Sequence, residues 1–199
     1  MPLFKSSHEA FRFAYNYNGD NCVKAMIGIP PAQTGRGLGG LDGAAEAGNI
    51  KRIVCSKGVQ TEMLVVAKFA PHIIPRSISK GWYVSLGWLS AIRYLARLTE
   101  QNCFSGGGDE EYRGRIIAKV FRRERESIED IGKMASIPRS TAYRHFRSVK
   151  KYIEGDRTGA KGILQLAIES IESELRNAGI VGEKNEADYH RQKQEILFR

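Results

Sequence analysis

The chain has little that would bind a metal ion or form disulfides. Its three cysteines, Cys22, Cys55 and Cys103, are widely spaced, with no CxxC pair and no histidine at a metal-ligand spacing. The four histidines are scattered, so they do not match a zinc site. An odd number of cysteines also argues against a disulfide framework. We therefore expect no metal, no cofactor, and thiols buried in a protein of the reducing cytoplasm.

Long apolar segments are also missing. No stretch approaches the roughly 20 apolar residues that a membrane-spanning helix requires. The N-terminal segment carries Lys5, His8, Glu9 and Arg12, which interrupt the apolar core that a signal peptide needs. We expect a soluble, cytoplasmic protein without a membrane partner.

Recognisable catalytic patterns are absent as well. The sequence has no Ser, His and Asp set in a known motif, no HExxH and no paired acidic metal site. The glycine-rich run over residues 35–40 lacks the GK[ST] ending of a phosphate-binding loop, and no strand pattern precedes it. These absences predict a protein that is not an enzyme.

The sequence does contain a pattern typical of a helix-turn-helix, SIEDIGKMASIPRSTAYRHF, over residues 127–146. Ser127 is a suitable N-cap, and two acidic residues follow it, where the helix dipole favours negative charge. Gly132 is small enough for a second helix to cross closely, and the Ser-Ile-Pro at residues 136–138 ends the first helix. The buried stripe of that helix is predicted to comprise Ile128, Ile131 and Ala135.

The second helix of this pattern is predicted to present a basic face outward. We expect Ala142, Phe146 and Val149 to be buried, with polar side chains on the opposite side. Arginines on such a face read guanine edges and bind phosphates when the helix lies in the DNA major groove. Including two arginines before the motif, the predicted DNA-binding residues are Arg139, Ser140, Thr141, Tyr143, Arg144, Arg147, Lys150, Lys151, Arg122 and Arg123.

Most of the excess positive charge lies around this motif. The whole chain has a formal net charge of +9. Residues 113–151 contain twelve Lys and Arg against four Asp and Glu, a net of +8. A packed helical hairpin with a solvated basic face would explain the helical pattern alone. The concentration of charge favours double-stranded DNA as the partner.

We interpret the chain as mainly α, in three regions. Residues 1–104 are a helical N-terminal region with a glycine-rich loop at 27–48. Residues 109–154 are the helix-turn-helix DNA-binding unit, and residues 155–199 are a C-terminal helix and tail. Leu166 is assigned to the buried stripe of that last helix. The apolar spacing also predicts helices over residues 82–99, 110–125 and 160–177.

Two segments keep alternative interpretations. In the glycine-rich loop, Thr34 and Arg36 are candidates for contact with RNA polymerase or a nucleic-acid backbone, and the simpler alternative is a plain connecting loop. Near the C-terminal end, Ile196, Leu197 and Phe198 either dock on a partner or pack on the protein itself.

A resemblance to bacterial and phage transcription regulators is carried by the run IEDIGKMASIPRSTAYRHF. A second resemblance, to phage Q-type transcription antitermination factors, is carried by MPLFKSSHEAFRFAYNYNG, GRGLGGLDGAAEAGNI and the late helix-turn-helix. That class includes phage-derived activators of bacterial lysis clusters. Some Q-type factors hold a zinc ion on cysteines, and this chain departs from that pattern.

The resemblance implies a factor that binds a promoter-proximal DNA element and loads onto paused RNA polymerase. It would narrow the RNA exit channel, so that terminator hairpins cannot form, and residues 139–147 match the DNA-reading part. Sigma factor and nascent RNA are further partners implied by it. The alternatives are a conventional helix-turn-helix activator or repressor, and a DNA-binding protein like the small terminase subunits of phages.

Overall fold

The computed structural model describes residues 2–17, 40–75, 82–104, 107–156 and 158–182. Within these ranges the chain forms nine helices and one two-stranded antiparallel sheet, so the expected mainly α fold is confirmed. None of the described helices combines the length and the apolar character needed to cross a membrane. The candidates Thr34 and Arg36 and the apolar residues 196–198 lie outside the described residues. The glycine-rich loop predicted at 27–48 was too long, because a helix begins at Gly40.

The first half of the chain packs three mutually contacting helices around a shared apolar interior. Its elements are α1 (Ser7–Asn16), α2 (Gly40–Ser56), α3 (Val59–Phe69), β1 (Ile73–Pro75), β2 (Trp82–Val84), α4 (Leu86–Leu98) and the short α5 (Glu100–Cys103). Helices α1, α2 and α3 contact one another, and α4 packs on α3. Phe11, Ile50, Leu64 and Leu95 fill the space between them and are fully buried.

The hairpin of β1 and β2 is absent from the sequence prediction. The helix predicted over residues 82–99 begins only at Leu86, because the preceding residues pair with β1 as a strand. Ser85 makes the change from strand to helix. Its N–H donates to the His72 carbonyl (2.9 Å), and its Oγ accepts a hydrogen bond from the Trp88 N–H (3.4 Å).

The second half adds four helices, with α6 at the centre. They are α6 (Glu110–Val120), α7 (Ile128–Met134), α8 (Arg139–Glu154) and α9 (Ile163–Asn177). Helix α6 contacts α4 as well as α7 and α8, and its Ile116 and Ile117 are fully buried. The prediction of a helix over residues 110–125 was too long. The helix ends at Val120, and Arg122 adopts a left-handed backbone conformation with φ 58°.

The connection between α7 and α8 has the predicted cap and a close helix crossing, but the predicted buried stripe is only partly correct. Ile131 is buried, whereas Ile128 and Ala135 are half-buried, and Ala135 lies after the end of α7. Ser127 caps α7, with its Oγ accepting a hydrogen bond from the Asp130 N–H (3.1 Å). A Cβ atom added at Gly132 would lie 3.0 Å from the Ala142 Cβ and 3.1 Å from the Ile137 carbonyl oxygen, so the two helices cross closely at this glycine. Pro138 takes the N-cap place of α8 and not its first turn.

Helix α9 joins the two halves. It contacts α1, α2 and α3 on one side and α8 on the other. The prediction placed Leu166 in its buried stripe, which is wrong, because that side chain is 52% exposed and Leu164 and Ile168 are buried instead. After α9, Val181 pairs with Phe4 in a parallel bridge, so the two ends of the described chain lie side by side.

The cysteine prediction is correct in only one of the two described cases. Cys103 is buried, whereas Cys55 is exposed at the end of α2. Both are free thiols. Although the residue is exposed, partial desolvation of the thiol and the nearby Glu62 raise the pKa of Cys55. The thiol therefore stays protonated at neutral pH.

Two glycines in helices should respond oppositely to alanine. Gly48 in α2 has no neighbour that a new Cβ would meet, so Gly48→Ala should raise the free energy of unfolding by about 0.5–1 kcal/mol through helix propensity. In Gly132→Ala the new Cβ lies only 3.0 Å from the Ala142 Cβ, so we expect overpacking at the crossing to lower the free energy of unfolding by about 1–3 kcal/mol. Urea denaturation followed by circular dichroism measures both, and equal effects would contradict the close crossing.

Candidate nucleic-acid interface

Helix α8 is held by one continuous apolar face. Ala142, His145, Val149 and Ile153 recur three or four residues apart, and all four are buried against the core. Phe146, which the sequence predicted as buried, is only half-buried at the margin of this face. Contacts with α5, α6, α7 and α9 fix α8 along its length.

The opposite face of α8 is exposed and basic. Ser140, Arg144, Arg147 and Lys151 follow one another at helical spacing and form its centre, and Arg139 and Lys150 lie along one edge. Tyr143 lies on the same edge and is half-exposed. The structure therefore brings together seven of the ten predicted DNA-binding residues on one side of one helix. We call this side the basic face.

Three cations of the basic face are paired with carboxylates. Arg139 Nε lies 3.4 Å from Glu129 Oε2, and Lys150 Nζ lies 4.0 Å from Glu154 Oε2. Lys151 Nζ lies 2.8 Å from an Asp156 oxygen, and this hydrogen bond raises the pKa of the lysine. Exposed ion pairs of this kind are screened by solvent and stabilise a fold little, so these cations can readily exchange their carboxylate for another anion.

The two central arginines differ from these cations. Across the described ranges, no carboxylate lies within ion-pair distance of Arg144 or Arg147. Both side chains are exposed, and they lie three residues apart on the same face. The centre of the basic face therefore carries uncompensated positive charge, with two planar groups of hydrogen-bond donors directed away from the core.

The N-terminus of α7 is not a second anion site. Glu129 and Asp130 lie in its first turn, and the Ser127 hydroxyl donates to the Asp130 carboxylate (2.6 Å). These carboxylates already occupy the positive end of the helix dipole. An anion that binds to α7 or α8 would therefore bind to the basic side chains of α8 rather than to the N-terminus of α7.

The arginines and lysines before the motif have mainly structural contacts. Arg115 Nη1 donates to a Glu126 carboxylate oxygen (2.6 Å), and Lys119 Nζ donates to the Glu126 backbone carbonyl (2.6 Å). These bonds hold the loop between α6 and α7. Arg123 was predicted to bind DNA, but its Nη2 is directed to the Lys68 carbonyl at the end of α3 (3.4 Å).

Two other predicted residues have distinct positions. Arg122 is exposed in the loop after α6, so its side chain remains available to a partner. Thr141 is half-buried, because it lies directly before buried Ala142 and four residues before buried His145. Its contact with DNA stays a prediction.

His145 is the residue that the sequence analysis missed. It is 2% exposed, its Nδ1 lies 3.1 Å from the Tyr112 hydroxyl, and its ring packs 5.1 Å from the Phe104 ring centre. Burial lowers the pKa of His145, and the neighbouring Arg144 guanidinium lowers it further. Its position between Ala142 and Val149 in the apolar stripe was the available signal.

No three His, Cys, Asp or Glu side chains among the described residues are grouped to hold a metal ion. The chain matches no protein-family model, and no curated protein or solved structure matches it. Any functional conclusion therefore depends on the basic face itself and on the sequence motif.

Neutral His145 should make the protein less stable in mild acid. In the unfolded chain His145 binds a proton near pH 6.5, whereas in the folded protein its pKa is lower. The stability that depends on neutral His145 is therefore complete above that pH and is lost as the pH falls below it. One such group changes the free energy of unfolding by at most about 1.4 kcal/mol per pH unit. Urea denaturation between pH 7.5 and 5.5 should show a smaller slope in His145→Gln. An unchanged slope would contradict the buried neutral state.

Proposed function

We propose that this protein is a sequence-specific DNA-binding regulator of transcription in which α8 reads the major groove. The observation that carries this proposal is the pair Arg144 and Arg147, exposed at the centre of the basic face without a carboxylate partner in the described residues. Such arginines bind either phosphates or the O6 and N7 atoms of guanine. Double-stranded DNA presents both phosphates and guanine edges to a helix that lies in its major groove.

The way α8 is held supports the same proposal. Helices α7 and α8 are joined by a tight turn, and both pack on α6. Helix-turn-helix proteins use this arrangement to insert their second helix into the major groove. With 16 residues, α8 is about 24 Å long, so it spans a groove about 12 Å wide with its basic face inward.

The proposal divides the basic residues into two roles. Arg144 and Arg147, with Ser140 beside them, contact base edges from the centre of the helix. Lys150 and Lys151, nearer the C-terminal end of α8, contact the phosphate backbone. Exposed Arg122 is a further phosphate contact. The phosphate contacts set affinity and its salt dependence, while the base contacts set sequence preference.

Among DNA-binding regulators, we propose an antitermination factor. The support is the sequence resemblance to phage Q-type factors, which implies a cytoplasmic protein that passes from a promoter-proximal element to paused RNA polymerase. Thr34 and Arg36 are the proposed polymerase or nucleic-acid contacts, and sigma factor and nascent RNA are the further partners. No catalytic step belongs to this function.

Arg144→Ala should weaken binding to the preferred DNA site by about 1–3 kcal/mol, because one bidentate base contact is lost. The site is first obtained by selection from a randomised duplex pool. Fluorescence anisotropy at fixed salt then measures the Kd. Arg93→Ala is the matched control, because it removes an exposed arginine from α4 and should leave the Kd unchanged. Equal affinity of Arg144→Ala and wild type would refute the assigned reading face.

Chromosomal crosslinking in induced cells tests the antitermination proposal. We expect a signal that begins at a promoter and extends with RNA polymerase through the transcribed region. A sharp signal confined to the promoter would instead identify a conventional activator or repressor. The Arg144→Ala variant serves as the control for site-dependent loading, and its signal should be lost from both places.

A further inference from the structure

Arg139 differs from the other cations of the basic face in having two separate contacts on its guanidinium. It is the first residue of α8, and its side chain is 70% exposed. Its Nε lies 3.4 Å from Glu129 Oε2. Its guanidinium carbon also lies 5.8 Å from the centre of the Tyr143 ring, one helical turn further along. The side chain is thus restrained by both an ion pair and an aromatic contact.

The carboxylate of Glu129 is itself fixed by its surroundings. Glu129 lies in the first turn of α7, next to the Ser127 cap, and its side chain is only 33% exposed. Its other oxygen, Oε1, lies 3.2 Å from Lys133 Nζ. The glutamate therefore connects the start of α7 to the start of α8 through Arg139.

This geometry leaves the outer edge of the Arg139 guanidinium available. The glutamate is bound at Nε, so the parallel N–H groups of Nη1 and Nη2 remain for a partner. Those two groups are the ones that pair with guanine O6 and N7 in the major groove. The first residues of a reading helix are also the ones that reach base edges.

Restraint of the side chain has a direct effect on such recognition. An unrestrained arginine samples many rotamers, and part of this side-chain entropy is lost when a bidentate contact forms. An arginine that is held by an ion pair and an aromatic contact has lost some of that freedom before binding. Less side-chain entropy is therefore lost when it contacts the DNA. Folding gains little from the same ion pair because it is partly exposed.

We propose that Glu129 is a positioning residue that, with Tyr143, holds Arg139 for a bidentate contact with one guanine of the DNA site. The proposal rests on the proposed DNA-binding function. It assigns Glu129, an acidic residue at the edge of a basic surface, a role in base discrimination.

The test uses the full chain and a duplex pool with a randomised core. After selection, binding is measured to the preferred duplex and to every single base-pair variant of it. Wild type should prefer guanine at one position by about 5- to 150-fold, and Arg139→Ala should lose this preference. Glu129→Gln should reduce the preference at that same position about threefold or more. The double variant should lose no more than Arg139→Ala alone.

Two further variants separate positioning from charge and folding. Glu111→Gln is the matched control, because Glu111 is an exposed glutamate paired four residues away with Arg115 on α6, and its loss should leave the preference intact. Tyr143→Phe keeps the ring under the guanidinium and should retain the preference, whereas Tyr143→Leu should reduce it. Circular dichroism verifies that each variant is folded.

Each remaining outcome overturns a defined part of the proposal. If Glu129→Gln changes affinity equally for all duplexes, Glu129 acts only through charge, and the positioning role is wrong. If Arg139→Ala weakens all duplexes equally, Arg139 binds a phosphate and not a guanine. In both cases the proposed function survives. A selection that enriches no sequence overturns the proposed function and this inference together.

Discussion

Helix α6 has to bury two sides at once, and the positions of α7 and α8 depend on this. Ile116, Ile117 and Val120 are buried on a helix that contacts α4 on one side and α7 and α8 on the other. A helix that is apolar on two sides is stable only between two layers. The N-terminal helices therefore set the orientation of the basic face, although none of them contributes a residue to it.

The cations around α6 and α8 divide into two groups by what they contact. Arg113, Arg115 and Lys119 are directed into the fold and satisfy carbonyls or carboxylates of neighbouring turns. Arg144 and Arg147 are directed outward without such partners in the described chain. The net charge of +8 over residues 113–151 combines both groups. It therefore overstates the exposed positive charge that a polyanion would contact. The basic face of α8 is therefore smaller than the stretch over which the net charge was counted.

Signals in the sequence were sufficient to predict those parts of the fold that depend on residues a few positions apart. The Ser127 cap, the glycine at the α7–α8 crossing and the exposed arginines of α8 all follow from neighbours a few residues away. The hairpin of β1 and β2, the direction of Arg123 toward Lys68 and the burial of His145 against Tyr112 depend on contacts between distant segments. Periodicity carries no information about such partners, which is why these features were missed.

The bridge between Phe4 and Val181 has a consequence for synthesis on the ribosome. The Phe4 N–H donates to the Ile180 carbonyl, and the Gly182 N–H donates to the Phe4 carbonyl, so the backbone of Phe4 pairs with the segment that follows α9. Helix α9, which covers α1, α2 and α3, also emerges after them. The nascent chain therefore exposes those parts of α1, α2 and α3 that α9 covers until α9 has been translated. During that interval the nascent chain presents apolar surface of the kind that chaperones bind, and helix α8 leaves the ribosome before α9, which packs against it.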